Sequence, residues 1–188
     1  MDLIEGDTEK KNSLVLVTGG CRSGKSDFAQ QVAERINGPR LFIATCPCTD
    51  KEMADRIRLH QEARLQAGWQ TIEEPISPEK SIRQAREDTT IVLDCLTLWI
   101  SNLLIDTDSR GPLLTERELI PRVNDLAHAA SHHCGMVIMV SGEVGQGIVP
   151  ENTLARRYRD LVGRCNRCMA AHADQVFFVS CGIPLQFK

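Results

Sequence analysis

Short apolar, β-branched runs alternate along this chain with longer stretches in which apolar residues recur every three or four positions. The runs Leu14 to Thr18, Arg40 to Thr45, Thr90 to Asp94, Met136 to Ser141 and Gln175 to Ser180 predict strands, with a short last one at Leu185 to Phe187. The segments between them predict helices over Lys25 to Ile36, Asp50 to Gln66, Pro78 to Glu87, Leu96 to Ile105, Thr115 to His132 and Asn152 to His172. Strands that are apolar throughout, separated by helices, imply an α/β protein with a mostly parallel central sheet covered on both faces. Asn37-Gly38-Pro39 closes the first helix, because Gly accepts a left-handed cap and Pro cannot continue the turn. Ser109 to Pro112 and Gly145 to Asn152 read as loops. Residues 1–12 show no periodicity and read as a flexible extension ahead of a single domain over 13–188.

Composition narrows the function. With 188 residues the chain is large enough to bury a core of its own. A net charge of −3 and only eight aromatic residues leave neither an electrostatic footprint nor a stacking platform for nucleic acid. The longest apolar runs fall far short of the roughly 20 residues of a membrane-spanning helix. An acidic, polar N-terminus without a signal-peptide core points to the cytoplasm, where the eight cysteines stay mostly reduced.

One motif carries chemistry. Gly19-Gly20-Cys21-Arg22-Ser23-Gly24-Lys25-Ser26 fits G-x-x-x-x-G-K-[ST], follows an apolar strand directly and opens a helical pattern. The glycines let successive N–H groups curl around phosphate oxygens, the helix N-terminus adds partial positive charge, Lys25 reaches the terminal phosphates, and the Ser26 hydroxyl ligates Mg²⁺. Asp94 ends an apolar strand and is the best second Mg²⁺ ligand, although Asp there also serves as an ordinary helix N-cap. Glu143 is another acid at a strand end, the edge where ligands of open α/β sheets gather. These residues imply a P-loop NTPase-like three-layer fold that handles phosphates, and no particular reaction.

Arg56, His60 and Arg64 share a spacing of four on one predicted helix, so their side chains fall roughly in a row. Flanking cations favour a neutral, nucleophilic imidazole, and the arginines offer forks for phosphate oxygens. A solvated charged face carrying one incidental His has the same spacing. His128, His132, His133 and His172 fall at helix ends and read as structural. Cys46, Cys48, Cys165 and Cys168 suggest a four-cysteine zinc site, but Pro47 splits the first pair and the second lies within a helix, so they read as small apolar residues and no zinc is expected.

Taken together, LVLVTGGCRSGKS from Leu14, KEMADRIRLHQEAR from Lys51, IVLDCLTLWISNLL from Ile91, GEVGQGIVPENTLARRYRDLVGRCNR from Gly142 and CGIPLQFK at the end make the chain resemble the bifunctional adenosylcobinamide kinase / adenosylcobinamide-phosphate guanylyltransferase family. The resemblance spans nearly all of residues 13–188. It implies transfer of the γ-phosphate of ATP or GTP to adenosylcobinamide. GMP then moves from GTP, through a guanylylated histidine, to adenosylcobinamide phosphate. His60 matches the family's R-I-x-x-H histidine. By the same resemblance Gly19 to Ser26 hold phosphates, Ala44, Thr45 and Cys46 lie beside them, and Gln61, Glu62, Ala63, Arg64, Glu73 and Asp94 complete the guanine nucleotide site. A homotrimer with its site near a subunit boundary is implied as well. Two positions depart from the family pattern, Gly142 in place of Asn and Arg167 in place of Gln; they bear on substrate affinity rather than reaction type. A simple P-loop small-molecule kinase, without a covalent guanylyl intermediate, is the alternative.

Overall fold

The computed structural model describes residues 13–46, 62, 64–110 and 114–188, with only the backbone for 107–110. Among these residues seven strands form one sheet: β1 (Ser13–Gly19), β2 (Arg40–Ala44), β3 (Trp69–Glu73), β4 (Thr90–Asp94), β5 (Met136–Val140), β6 (Gln175–Ser180) and β7 (Ile183–Gln186). Their order is β3-β2-β4-β5-β1-β6-β7. Pairings from β3 to β6 are parallel, and only β7 runs antiparallel to its neighbour. The described helices are α1 (Lys25–Glu34), α2 (Pro78–Gln84), α3 (Leu96–Arg110), α4 (Glu116–Ser131) and α5 (Thr153–His172).

Alternation along each strand separates two apolar layers. Leu14, Leu16, Leu41, Ile43, Ile91, Leu93, Val137 and Met139 turn to one face, where α2, α3, α4 and α5 bury Ile82, Trp99, Leu103, Leu119, Val123, Leu126, Val162 and Met169 against them. Val15, Val17, Phe42, Val92, Ile138, Val140, Phe177 and Val179 turn to the other, against Ala29, Val32 and Ala33 of α1. Both faces are apolar because both are covered. At roughly 25 cal/mol per Å² of apolar surface buried, this two-sided core dominates the stabilisation.

The expected strands are all present, and β3 is an additional one. Helix α3 runs through Arg110, beyond the loop expected to start at Ser109, and α2 stops at Gln84 rather than Glu87. Most of the helix expected over Asp50 to Gln66 lies outside the described residues, as does the extension 1–12; residues 64–66 are helical. Among the described residues no helix is long and apolar enough to cross a membrane.

The topology fixes where a ligand belongs. From β1 the chain crosses over β5 and β4 to reach β2, whereas β5 returns through α5 to β6 on the other side of β1. The carboxyl end of β1 therefore stands at a switch point, where open α/β sheets bind ligands.

Candidate functional site

The loop after β1 has the backbone that its glycines permit. Gly19 adopts φ +147°, and a Cβ there would lie 2.2 Å from the Val179 carbonyl oxygen. Gly24 adopts φ +93° and caps α1 without a side-chain hydrogen bond, so the first N–H groups of the helix are left for an anion. Arg22 also takes a positive φ, of 52°. The loop is pinned from both sides: the Gly182 N–H donates to the Ser23 carbonyl (2.9 Å), and the Glu143 N–H donates to that of Gly19 (2.9 Å). Cys21 and Arg22 are exposed on the loop, and Ser23 is buried beneath it.

Sheet register assembles the rest of the site. Asp94 pairs with Ala44, which pairs with Glu73, so these three positions form one row across the carboxyl ends of β4, β2 and β3. Although Asp94 is two strands from β1, its carboxyl lies close enough to interact with the Ser26 hydroxyl. Burial pushes the Asp94 carboxyl above the usual carboxylate range, opposed by Ser26, Arg64 and Lys25 in that order. Lys25 donates to the Gly20 carbonyl and weakly to Ser23 Oγ (3.4 Å). Burial lowers its ammonium pKa, against the pull of Asp94. The Arg64 guanidinium stacks over the Phe42 ring at 3.7 Å, a cation–π contact, and interacts with the Asp94 charge.

The structure thus brings Lys25 and Ser26 of the loop together with Arg64 and Asp94. Ala44 and Glu73 continue the row of strand ends away from the loop, Glu73 on the edge strand β3. Arg56, His60, Gln61 and Ala63 lie outside the described residues. Glu62 and Glu73 are exposed. Thr45 has a role that its sequence position does not reveal. Its hydroxyl donates to the Cys95 carbonyl (2.8 Å) and accepts from the Cys95 N–H (2.7 Å), while its own carbonyl accepts from Asn102 Nδ2 (2.7 Å). It ties the tips of β2 and β4 together and so holds Asp94 in place.

Beside the loop, on the β6 side, lies a cleft of about 600 Å³ walled by Gly20 to Ser23, by Glu143, Val144, Gln146 and Gly147, and by Phe178 to Cys181. Glu143 lines it, its carboxylate accepting from the Gly145 N–H (2.6 Å). Sequence reasoning missed the β6–β7 turn, which carries no motif, and the network below Gly142. There Ser141 Oγ donates to Asn166 Oδ1 (2.5 Å) and Asn166 Nδ2 donates to the Gly142 carbonyl (3.1 Å). An asparagine on the apolar stripe of α5, between Val162 and Met169, is the signal that marks it.

Neither histidines nor cysteines outside this region add to it. His133 is buried against the Thr89 carbonyl (2.7 Å), and His128 and His132 stack on each other. Cys165 is a core side chain, its thiol pushed up to about 12 by burial, and Cys168 donates to Asn124 (3.1 Å). Cys48 lies outside the described residues, among which no group of three or more His, Cys, Asp or Glu could hold a metal. The Ser26–Asp94 pair nonetheless fits Mg²⁺ bound together with phosphates, because that ion takes one or two protein ligands and keeps several waters.

Residues 15–187 match the family described as cobinamide kinase / cobinamide phosphate guanyltransferase. The chain is 38% identical over 175 residues to the bifunctional adenosylcobalamin biosynthesis protein CobP of Pseudomonas aeruginosa, covering 92% of this chain and 96% of that one. It is 38% identical to the corresponding CobU of Salmonella typhimurium (93% and 99% covered) and 35% identical to that of Escherichia coli (93% and 99%). Among solved structures, an ATPase domain superposes with a TM-score of 0.54 at 14% identity, over 90% of this chain and 69% of that one. A KaiC-like protein of Pyrococcus horikoshii superposes with 0.53 at 15%, over 89% and 71%. Those two likenesses show the P-loop NTPase fold.

Proposed function

The chain belongs to the cobinamide kinase / cobinamide phosphate guanyltransferase family, and from that premise we propose that it carries out both reactions at the site around Gly19 to Ser26. First it phosphorylates the adenosylcobinamide hydroxyl with ATP or GTP. It then moves GMP from GTP to adenosylcobinamide phosphate, giving adenosylcobinamide-GDP. The observation that carries this reading is the convergence of Lys25, Ser26, Asp94 and Arg64 on one uncapped helix N-terminus.

The chain's own residues divide the work. Phosphate oxygens take the α1 and loop N–H groups and replace the neutral acceptors now bonded to Lys25, an exchange that strengthens each hydrogen bond because the new acceptor is charged. Ser26 and Asp94 would hold Mg²⁺, which when bound neutralises charge on the transferring phosphate. In the guanylyl step a neutral His60 nitrogen attacks the α-phosphorus of GTP, the bond to the bridging oxygen breaks, and pyrophosphate leaves with the electron pair. A phosphate oxygen of the acceptor then attacks the same phosphorus and releases the imidazole. Arg64, four residues beyond His60, supplies positive charge beside Asp94. Lys25 and the loop serve both steps through positioning and charge.

The reading includes residues 13–188 as one catalytic domain with 1–12 outside it, a cytoplasmic location, and assembly as a homotrimer. The apolar side chains Ile148 (96% exposed) and Val149, close to the cleft, support a surface that a second subunit covers. Product analysis after incubation with ATP, GTP, Mg²⁺ and adenosylcobinamide tests the division of labour. Lys25→Ala is expected to reduce both products by about 100-fold or more; His60→Ala should accumulate the phosphate and make no GDP derivative. Unimpaired GDP-derivative formation by His60→Ala would favour another route to guanylyl transfer.

A further inference from the structure

Arg159 is an arginine of α5 whose chemistry is unaccounted for. One of its Nη atoms is fully buried and has no hydrogen-bond acceptor among the described residues. Its carboxylate neighbour, Asp160, is 3.9 Å from Nε and mostly exposed, too far for a hydrogen bond. Two other arginines of α5 are engaged, Arg156 with the carbonyls of Pro150 and Glu151 and with Thr153, and Arg164 with Glu116. A buried guanidinium N–H without an acceptor is costly, which makes a missing anionic ligand the economical explanation.

The position of Arg159 says which ligand. The C-terminal end of α5 leads to Asp174, whose N–H donates to the Leu14 carbonyl near the start of β1, and Asn166 meets Ser141 and Gly142 at the end of β5. The helix therefore runs antiparallel to the strands. Arg159 precedes Asn166 by seven residues on the same stripe, so it lies roughly 10 Å further, beyond the carboxyl edge of the sheet. Its neighbour Tyr158 donates to the Thr97 carbonyl (3.3 Å), three residues past Asp94. Helix α5 packs on the face opposite α1. Arg159 therefore stands at the carboxyl edge of the sheet, the edge that carries the phosphate loop, but on the face opposite α1, a side from which an acceptor can approach without displacing the nucleotide.

Resting on the function proposed above, we infer that Arg159 receives the phosphoryl group of the phosphorylated cobinamide acceptor during guanylyl transfer. A guanidinium matches this dianion bidentately, and engaging it satisfies the buried nitrogen. Steady-state kinetics of wild type, Arg159→Ala and Arg159→Lys, together with GTP dissociation constants and melting temperatures, test it. Arg159→Ala should raise KM for the phosphorylated acceptor on the order of 10- to 100-fold, and far more than KM for the unphosphorylated one. GTP affinity should stay within about twofold. Arg159→Lys should fall between, since it keeps the charge but not the fork, and it carries the test should the alanine variant unfold. Guanidinium ion should partly restore Arg159→Ala. An unchanged KM in both variants overturns the inference, as does an equal rise for both acceptor forms. Weakened GTP binding with acceptor KM unmoved would assign the arginine to the nucleotide instead. Absence of any GDP derivative from wild-type protein would overturn the function reading itself, a distinct failure.

Discussion

At Asp94, catalysis and stability pull in opposite directions. The carboxylate must be ionised to hold a metal, yet burial pushes its pKa above the ordinary 3.8. A carboxyl with a raised folded pKa binds more protons folded than unfolded over the window starting at that value. Its contribution to stability is therefore greatest in acid and declines as pH rises through the window. Melting of nucleotide-free wild type and Asp94→Asn from neutral pH down towards the ordinary carboxylate range checks the sign. The wild-type melting temperature should gain on that of the variant as pH falls, while the variant loses about 100-fold or more in activity at neutral pH. A gain on raising the pH would contradict this placement. The spacing of glycines, lysine and serine made the phosphate loop legible, and a carboxylate closing an apolar strand pointed to Asp94. Thr45 was different. The family resemblance implies that it lies beside the phosphates, and its hydroxyl bonds both backbone groups of Cys95, a long-range pairing that no local pattern encodes.

At the scale of elements, strands buried on both faces were legible because their apolar runs are unbroken. Strand β3 was not. It lies at the sheet edge, pairs only with β2, and mixes buried Trp69 with exposed Gln70 and Glu73, so its sequence has no continuous run. Helix α3 outlasts its expected end because the polar stretch after Ile105 continues the helix without an internal Gly or Pro until Arg110. Helix α5 is held at the height of the site by Asn166, which bonds to both Ser141 and Gly142. Asn166→Ala leaves the Ser141 hydroxyl and the Gly142 carbonyl without these partners in a largely buried setting. It should cost about 1–3 kcal/mol in denaturant unfolding, and it should raise acceptor KM by displacing the N-terminal half of α5. A loss below about 0.5 kcal/mol would mean that the network does not anchor the helix.

The whole molecule explains why bulk composition is a poor guide to its substrates. A net charge of −3 coexists with Lys25 and Arg64 gathered beside the phosphate loop, so local sign matters more than the sum. The sheet order achieves this gathering by placing β1 at the switch point and Asp94 within reach of Ser26 across an intervening strand. Family membership then selects guanylyl transfer from the many reactions that a P-loop can host. The most direct measurement is covalent labelling. Wild-type protein incubated with α-labelled GTP and Mg²⁺ should retain acid-labile, base-stable label, released by adenosylcobinamide phosphate, and His60→Ala should retain none. Equal labelling of the two proteins would contradict His60 as the guanylyl carrier.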